Sequence, residues 1–360
     1  MDDDLKQIDA SPASSLRIGH KKSWWMTVGL VVMGLILLAG AGIMTYFTSL
    51  SPVDSQANTA IRVVIESGQS ASDIAETLYS HKLIRSKEAF QLYTQMSGYN
   101  DKLQTGGYLL KQSQSVQDIV QHLIGGKTDE LRVTILPGLT LEDLADPAVE
   151  GSLAQRGFTS DEIKVAYAAS YNSPLFKDKP AGTSLEGYLY PETYNIAAND
   201  PLDRVLTMTF DEFYRVITTN DLEAQLATQG LNLYQGITLA SIVQKEVSDP
   251  NDQRQVAQVF LKRLKEGMVL GSDVTFMYIA KKEGRTPSVN DPSPYNTRKS
   301  GGLPPGPISN FNLSALKAVA NPASGDYLYF VAGDDGKTYY SRTEAEHNAN
   351  VTLHCTKLCQ

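Results

Sequence analysis

Cysteine is almost missing from this chain. Only Cys355 and Cys359 occur in 360 residues, four apart at the C-terminal end. With no histidine set beside them they do not form a zinc motif, and they fit a disulfide outside the cytoplasm or an unstructured tail equally well. His81, His122, His347 and His354 are too scattered to read as a metal cluster. A basic excess is also missing: 32 Lys and Arg stand against 40 Asp and Glu, for a net charge of −8. That balance excludes the concentrated basic surface that nucleic-acid binding needs. No G-x-S-x-G elbow and no glycine-rich phosphate loop occurs, so a serine-hydrolase triad and a nucleotide cradle have no support. Neither a cofactor nor a metal is expected.

What the chain does have is one long apolar run. Residues 24–48 (WWMTVGLVVMGLILLAGAGIMTYFT) carry no charge. About 20 such residues cross the hydrocarbon core as a helix. Trp24 and Trp25 open the run and Tyr46 and Phe47 close it, as headgroup-level aromatics do. Arg17, Lys21 and Lys22 precede the run, and no Lys or Arg follows until Arg62. The positive-inside rule then places residues 1–23 in the cytoplasm as a tail and the rest on the outer face of the cell membrane. Ala39-Gly40-Ala41 resembles a signal-peptidase site, but the run continues through Ile43, Met44 and Phe47, beyond the length of a signal sequence.

After a polar linker at 49–60, one pattern appears twice. Val63, Ile65, Gly68, Ser70, Asp73, Ile74 and Ala75 match Val133, Ile135, Gly138, Thr140, Asp143, Leu144 and Ala145 at a constant offset. Each copy reads as a short strand, a glycine turn and a hydroxyl N-cap with an acid three residues on, which is a capping box opening a helix. Residues 115–119 (SVQDI) repeat the helix-opening part. The helix at 70–80 then has Ile74, Ala75 and Leu78 on one side. Residues 61–128 form a small strand–helix module, suited either to packing or to binding a polymer, and 129–354 form a larger region followed by a tail at 355–360. In the larger region, 160–170, 201–218 and 252–266 read as helices, the last stopped by Gly267. Residues 326–332 and 337–341 read as strands joined by the turn GDDG. The fold class is α+β.

The candidate for chemistry is Glu246. In LASIVQKEV, Leu239, Ile242, Val243 and Val247 form an apolar helical stripe, and Glu246 follows Ile242 by four and Val243 by three. A carboxyl held against apolar neighbours resists ionisation and can serve as a general acid. The position alone equally suits a Glu at the edge of the stripe paired with a distant cation. Residues 185–194 (LEGYLYPETY) bring Glu186, Tyr188, Tyr190, Glu192 and Tyr194 together, the mix of rings and carboxylates that a sugar cleft uses, or ordinary strand packing. Ser272 and Asp273 stand at a helix start. Tyr295, Asn296 and Thr297 precede the rigid GGLPPGP loop, which suits a binding wall or a structural turn.

With those residues in view, the chain resembles the YceG-like family of endolytic murein transglycosylases, single-pass enzymes that cut peptidoglycan glycan strands. The resemblance is carried by the anchor, by SGQSASDIAETLYSHKLI and GGYLLKQSQSVQDIVQHLIGGK in a LysM-like module, and by LEGYLYPETY, LASIVQKEV, SDVTFMY, YNTRKSGGLPPGPISN and YLYFVAGDDGKTYYSRTEAEHN. It implies that Glu246 is the catalytic acid and base; from the residue pattern, Glu186, Tyr188, Ser272, Asp273, Tyr295, Asn296 and Thr297 are expected to contact substrate. The reaction implied uses no water and leaves a 1,6-anhydro-MurNAc end, ending the growth of nascent strands. A retaining hydrolase would need a second carboxylate, for which Glu186 or Asp273 could serve. A non-catalytic wall-binding anchor is the third reading. Partners implied are peptidoglycan strands and penicillin-binding synthases. Departures from the family pattern are Gly271 for a usual Gln, Val274 for Pro, Phe311-Asn312 for Pro-Gly, and Thr338 for a common His; Gln244 stands where Glu is often found.

Overall fold

The computed structural model describes residues 21–357. The remainder, which includes most of the expected cytoplasmic tail and the end of the C-terminal tail with Cys359, lies outside the described residues. Helix α1 (Lys21–Leu50) contains the apolar run, and Trp24–Leu50 is long and apolar enough to cross a membrane. Its side chains are exposed along most of its length, but Leu50 is buried and Tyr46 packs at the edge of the next core.

That core belongs to β1 (Ala60–Ile65), α2 (Ala71–Ser80), α3 (Lys87–Met96), β2 (Gly106–Lys111) and α4 (Val116–Gly125). β1 and β2 pair antiparallel, with Val63 opposite Tyr108. The capping boxes form as the spacing predicts: Ser70 with Asp73 opens α2 and Ser115 with Asp118 opens α4. Ile74, Ala75 and Leu78 are the buried face of α2. Asp73 and Asp118 keep pKa values below the usual carboxylate range because the capping hydroxyls and N–H groups favour their charged forms.

The third copy opens the larger region. β3 (Glu130–Thr134) leads to Thr140, which caps the short α5 (Leu141–Ala145) with Asp143. α6 (Ser160–Ala168) follows. β4 (Thr193–Ala197) then returns to pair antiparallel with β3. The helices α7 (Leu202–Thr219), α8 (Leu222–Thr228), α9 (Leu233–Glu246), α10 (Pro250–Lys265), α11 (Asp273–Lys282) and α12 (Leu313–Ala320) surround a second core. β5 (Tyr329–Ala332) and β6 (Thr338–Ser341) form a hairpin, and α13 (Glu344–His354) packs against it. The architecture is α+β, with three separate two-stranded sheets among the described residues.

Several boundaries differ from the sequence pattern for local reasons. α10 begins at Pro250 rather than 252, because Asp249 caps Asn251 and Asp252 and proline is at home in a first helical turn. The hairpin strands start at Tyr329 and Thr338, later than the 326 and 337 expected from the sequence. Cys355 is buried and is not a free thiol.

The two cores meet at a buried arginine. Arg62 on β1 donates from Nε to Ala198 O at 2.6 Å, and from Nη1 to Gly157 O at 3.2 Å and to Glu162 Oε1 at 3.1 Å, while its guanidinium lies 4.4 Å from the Phe158 ring centre. Gly107 permits the contact from β2: a Cβ there would sit 2.1 Å from Asn199 N.

Candidate active site

α9 is a core helix whose last residue faces open space. Asn232 and Gln235 form its capping box, and Ile237, Leu239, Ala240, Ile242 and Val243 are fully buried. The helix is thus buried almost all round, more than the single stripe predicted. It ends at Glu246, whose carboxyl lines a cleft of about 530 Å³. Lys245 is exposed, and Gln244 accepts a hydrogen bond from Asn312 N at 3.0 Å, which braces α12.

Burial, first, and the nearby Asp273 raise the Glu246 pKa above the ordinary glutamate value, opposed by a Ser272 hydrogen bond and by Arg298 and Arg263. The carboxyl also sits at the negative end of the α9 dipole, which disfavours its charge. Ser272 Oγ donates to Glu246 Oε1 at 2.5 Å. Ser272 is the N-cap of α11, yet its side chain caps nothing, because its hydroxyl is committed to Glu246 instead. Oε2 accepts no hydrogen bond from any described residue. The site therefore holds an acid with one oxygen fixed and one oxygen available.

The loop behind Ser272 fixes it from the backbone. Ser272 N donates to Thr297 Oγ1 at 3.1 Å, Gly271 N donates to Thr297 O at 2.9 Å, and Thr275 Oγ1 donates to Ser272 O at 2.8 Å. Asn296 Nδ2 donates to Val289 O and Asp291 O. Asn296 and Thr297 are fully buried, with their polar groups spent inside the loop. Both were expected to touch substrate; here Thr297 holds Ser272, which holds Glu246, and Asn296 braces the loop through Val289 O, Asp291 O and Arg298 N.

Of the predicted site residues, Glu246, Ser272 and Asp273 come together. Asp273 also lines the cleft, in an ion pair with Arg298. Glu186, Tyr188 and Tyr295 do not line it. Tyr188 is buried in the core against Phe176, and Tyr190 stacks on Phe213. These rings are packing, not a sugar platform. Glu186 is buried, accepts from Leu141 N at 3.3 Å and Tyr278 OH at 3.2 Å, and is pushed up to about 8 by burial and then by Glu142. Tyr295 packs near Tyr278, with ring centres 5.4 Å apart.

The opposite wall was not foreseen. It comes from the C-terminal hairpin and α13: Tyr329, Thr338, Glu344, His347 and Asn348, with Arg263 from α10 beneath them. The Tyr329 and His347 rings stack 5.3 Å apart. Burial and then Arg263 hold the imidazole below its ordinary pKa, and its Nδ1 is buried without a partner. Thr338 donates to Asp252 Oδ2 at 3.1 Å. A sequence signal for Arg263 existed, since it follows Val256 by seven and Phe260 by three on the buried face of α10. The departures at 311 and 312 are structural: Phe311 meets Phe213 edge-on and Asn312 caps α12.

The chain is similar to known proteins along most of its length. The profile of the YceG-like family matches residues 63–353. An endolytic murein transglycosylase of Bacillus subtilis (strain 168) is 30% identical over 329 residues, covering 87% of this chain and 89% of that protein. One of Streptococcus pneumoniae (strain D39) is 31% identical over 354 residues, covering 89% of this chain; the chain spans 63% of that relative's length. A crystal structure of a YceG-like protein from Listeria monocytogenes is 31% identical, with a TM-score of 0.52, over 81% of this chain and 98% of that one. The chain belongs to the YceG-like family.

Proposed function

We propose that this protein is an endolytic lytic transglycosylase of peptidoglycan. The observation that carries the reading is Glu246: a carboxyl biased toward its protonated form, placed at the end of a core helix, with Oε1 tied to Ser272 and Oε2 available in an open cleft. The names of the B. subtilis and S. pneumoniae relatives support the same chemistry.

In this reading Glu246 donates its proton to the glycosidic oxygen between N-acetylmuramic acid and N-acetylglucosamine. The C1–O bond breaks, and the N-acetylglucosamine leaves with a free 4-hydroxyl. The muramyl 6-hydroxyl attacks C1, and its proton passes to the Glu246 carboxylate, which restores the acid. No water is consumed, and the end formed is 1,6-anhydro. The nucleophile belongs to the substrate, so one carboxyl suffices. Asp273 is neutralised by Arg298, which favours Glu246 acting alone over a two-carboxylate hydrolase. The stacked Tyr329 and His347 rings offer an apolar face for a pyranose.

The cleavage acts on nascent strands and ends their elongation. The single apolar helix supports a cell-membrane protein with a cytoplasmic N-terminus and its catalytic region, 129–354, on the outer face. The module at 61–128 binds the wall polymer, and penicillin-binding synthases are the expected neighbours. The two separate hydrophobic cores support that division of the chain. Digestion of purified strands in ¹⁸O-labelled water tests the reaction. A transglycosylase leaves the new ends unlabelled, and label in them would mean hydrolysis.

A further inference from the structure

Arg263 is a cation held by backbone carbonyls rather than by an ion pair. Its Nε donates to Leu328 O and its Nη1 to Leu270 O, each at 2.6 Å, and its guanidinium lies 5.2 Å from the centre of the Tyr329 ring. Among the described residues it enters no ion pair, whereas its neighbour Arg298 is paired with Asp273. Nη2 donates to no described residue. A half-buried guanidinium fixed by two backbone carbonyls and left unneutralised in a cleft is arranged for an anion that arrives from outside. Burial, and then Arg298, hold its pKa below the usual arginine value, opposed by Tyr329 and Glu246. The groups facing it are Glu246 from α9, Asp273 from α11, Arg298 from the following loop, Tyr329 from β5, and Glu344 and His347 from α13.

Gly271 leaves room for this placement. Its φ of +69° suits glycine, and a Cβ there would lie 2.8 Å from Arg263 Nη1.

We propose that Arg263, supported by Arg298, forms a carboxylate subsite beside Glu246 that binds an acid group of the glycan strand. The proposal rests on the peptidoglycan reading and names a feature of the substrate within it. Two acids have this chemistry: the lactyl carboxylate of a sugar stripped of its peptide, and a carboxylate of an attached peptide stem. A bound carboxylate would also offset a cation that favours the Glu246 carboxylate, and so favour the protonated acid when substrate is in place.

The test uses the full chain in detergent micelles with four substrates: strands with stems, strands stripped by an amidase, and each of these with its carboxylates converted to amides. For the wild type, amidation should raise KM about 10- to 100-fold on one strand type, the scale of a charge-assisted hydrogen bond, with a smaller change in kcat. The strand type affected identifies the acid. Arg263→Gln should raise KM on the acidic strands by a similar factor and no longer distinguish them from the amidated ones. Arg298→Gln, which leaves the backbone clamps of Arg263 intact, should weaken the distinction in the same direction. The proposal is overturned if wild-type KM ignores amidation on both strand types, or if both variants keep the full distinction. If the wild type cleaves no strand at all, it is the function that fails, so the two failures are separable.

Discussion

Replacing Ser272 by alanine isolates the one hydrogen bond that a described residue makes to the Glu246 carboxyl. The bond from Ser272 Oγ to Oε1 favours the carboxylate over the acid, so it acts where negative charge develops as the proton leaves. Hydrogen bonds to charged groups contribute roughly 1.5–3 kcal/mol. If about half of the carboxylate charge has formed in the transition state, the loss is ~0.75–1.5 kcal/mol, or roughly a 4- to 12-fold fall in kcat. The same loss raises the Glu246 pKa further, so the alkaline limb of kcat/KM moves to higher pH. The deficit of the variant should therefore shrink as pH rises. The fold should be spared, because the side chain of Ser272 caps nothing and its N–H and C=O bonds to Thr297 and Thr275 remain. The assay is turnover of soluble strands from pH 5 to 9, with thermal midpoints measured beside it. An alkaline limb that stays in place or moves down, with midpoints unchanged, would refute the reasoning.

Two further substitutions probe the frame around the site. Glu186 is raised from 4.5 to about 8 by burial, so the contribution of its protonated form is complete below 4.5 and is lost as pH rises through 8. Glu186→Gln should match the wild type in thermal midpoint near pH 5 and exceed it increasingly toward pH 9; equal midpoints at all pH values would contradict the burial argument. Arg62→Ala removes a buried cation from the junction of the two cores and leaves Gly157 O and Ala198 O unpaired. A loss of about 3 kcal/mol is expected in urea unfolding, at the low end for a broken buried pair because Glu162 keeps its bond from Thr159 N. Limited proteolysis should also accelerate between residues 125 and 160, and unchanged cleavage would speak against a clamp.

The parts of the fold that were legible in the sequence are those fixed by local chemistry. Ser70 with Asp73, Ser115 with Asp118 and Thr140 with Asp143 each decide a helix start within four residues, and all three form as spaced. Glu246 was legible because its neighbours at three and four residues are apolar. What could not be read depends on partners far away in the chain. The tyrosines of 185–194 looked like a sugar platform, but Phe176 and Phe213 come from other segments to bury them. Asn296 and Thr297 offered polar groups, and only the folded loop shows those groups already used. The wall carrying Tyr329 and His347 lies some 80 to 100 residues beyond Glu246, and nothing local announces that it returns to the cleft.

The central claim is that Glu246 alone supplies both acid and base. Its most direct test is digestion of purified glycan strands by the wild type and by Glu246→Gln, followed by mass analysis of the new ends. The account predicts ends one water lighter than reducing ends from the wild type, and no new ends from the variant. Undiminished cleavage by the Gln variant, or wild-type ends carrying the water, would contradict it.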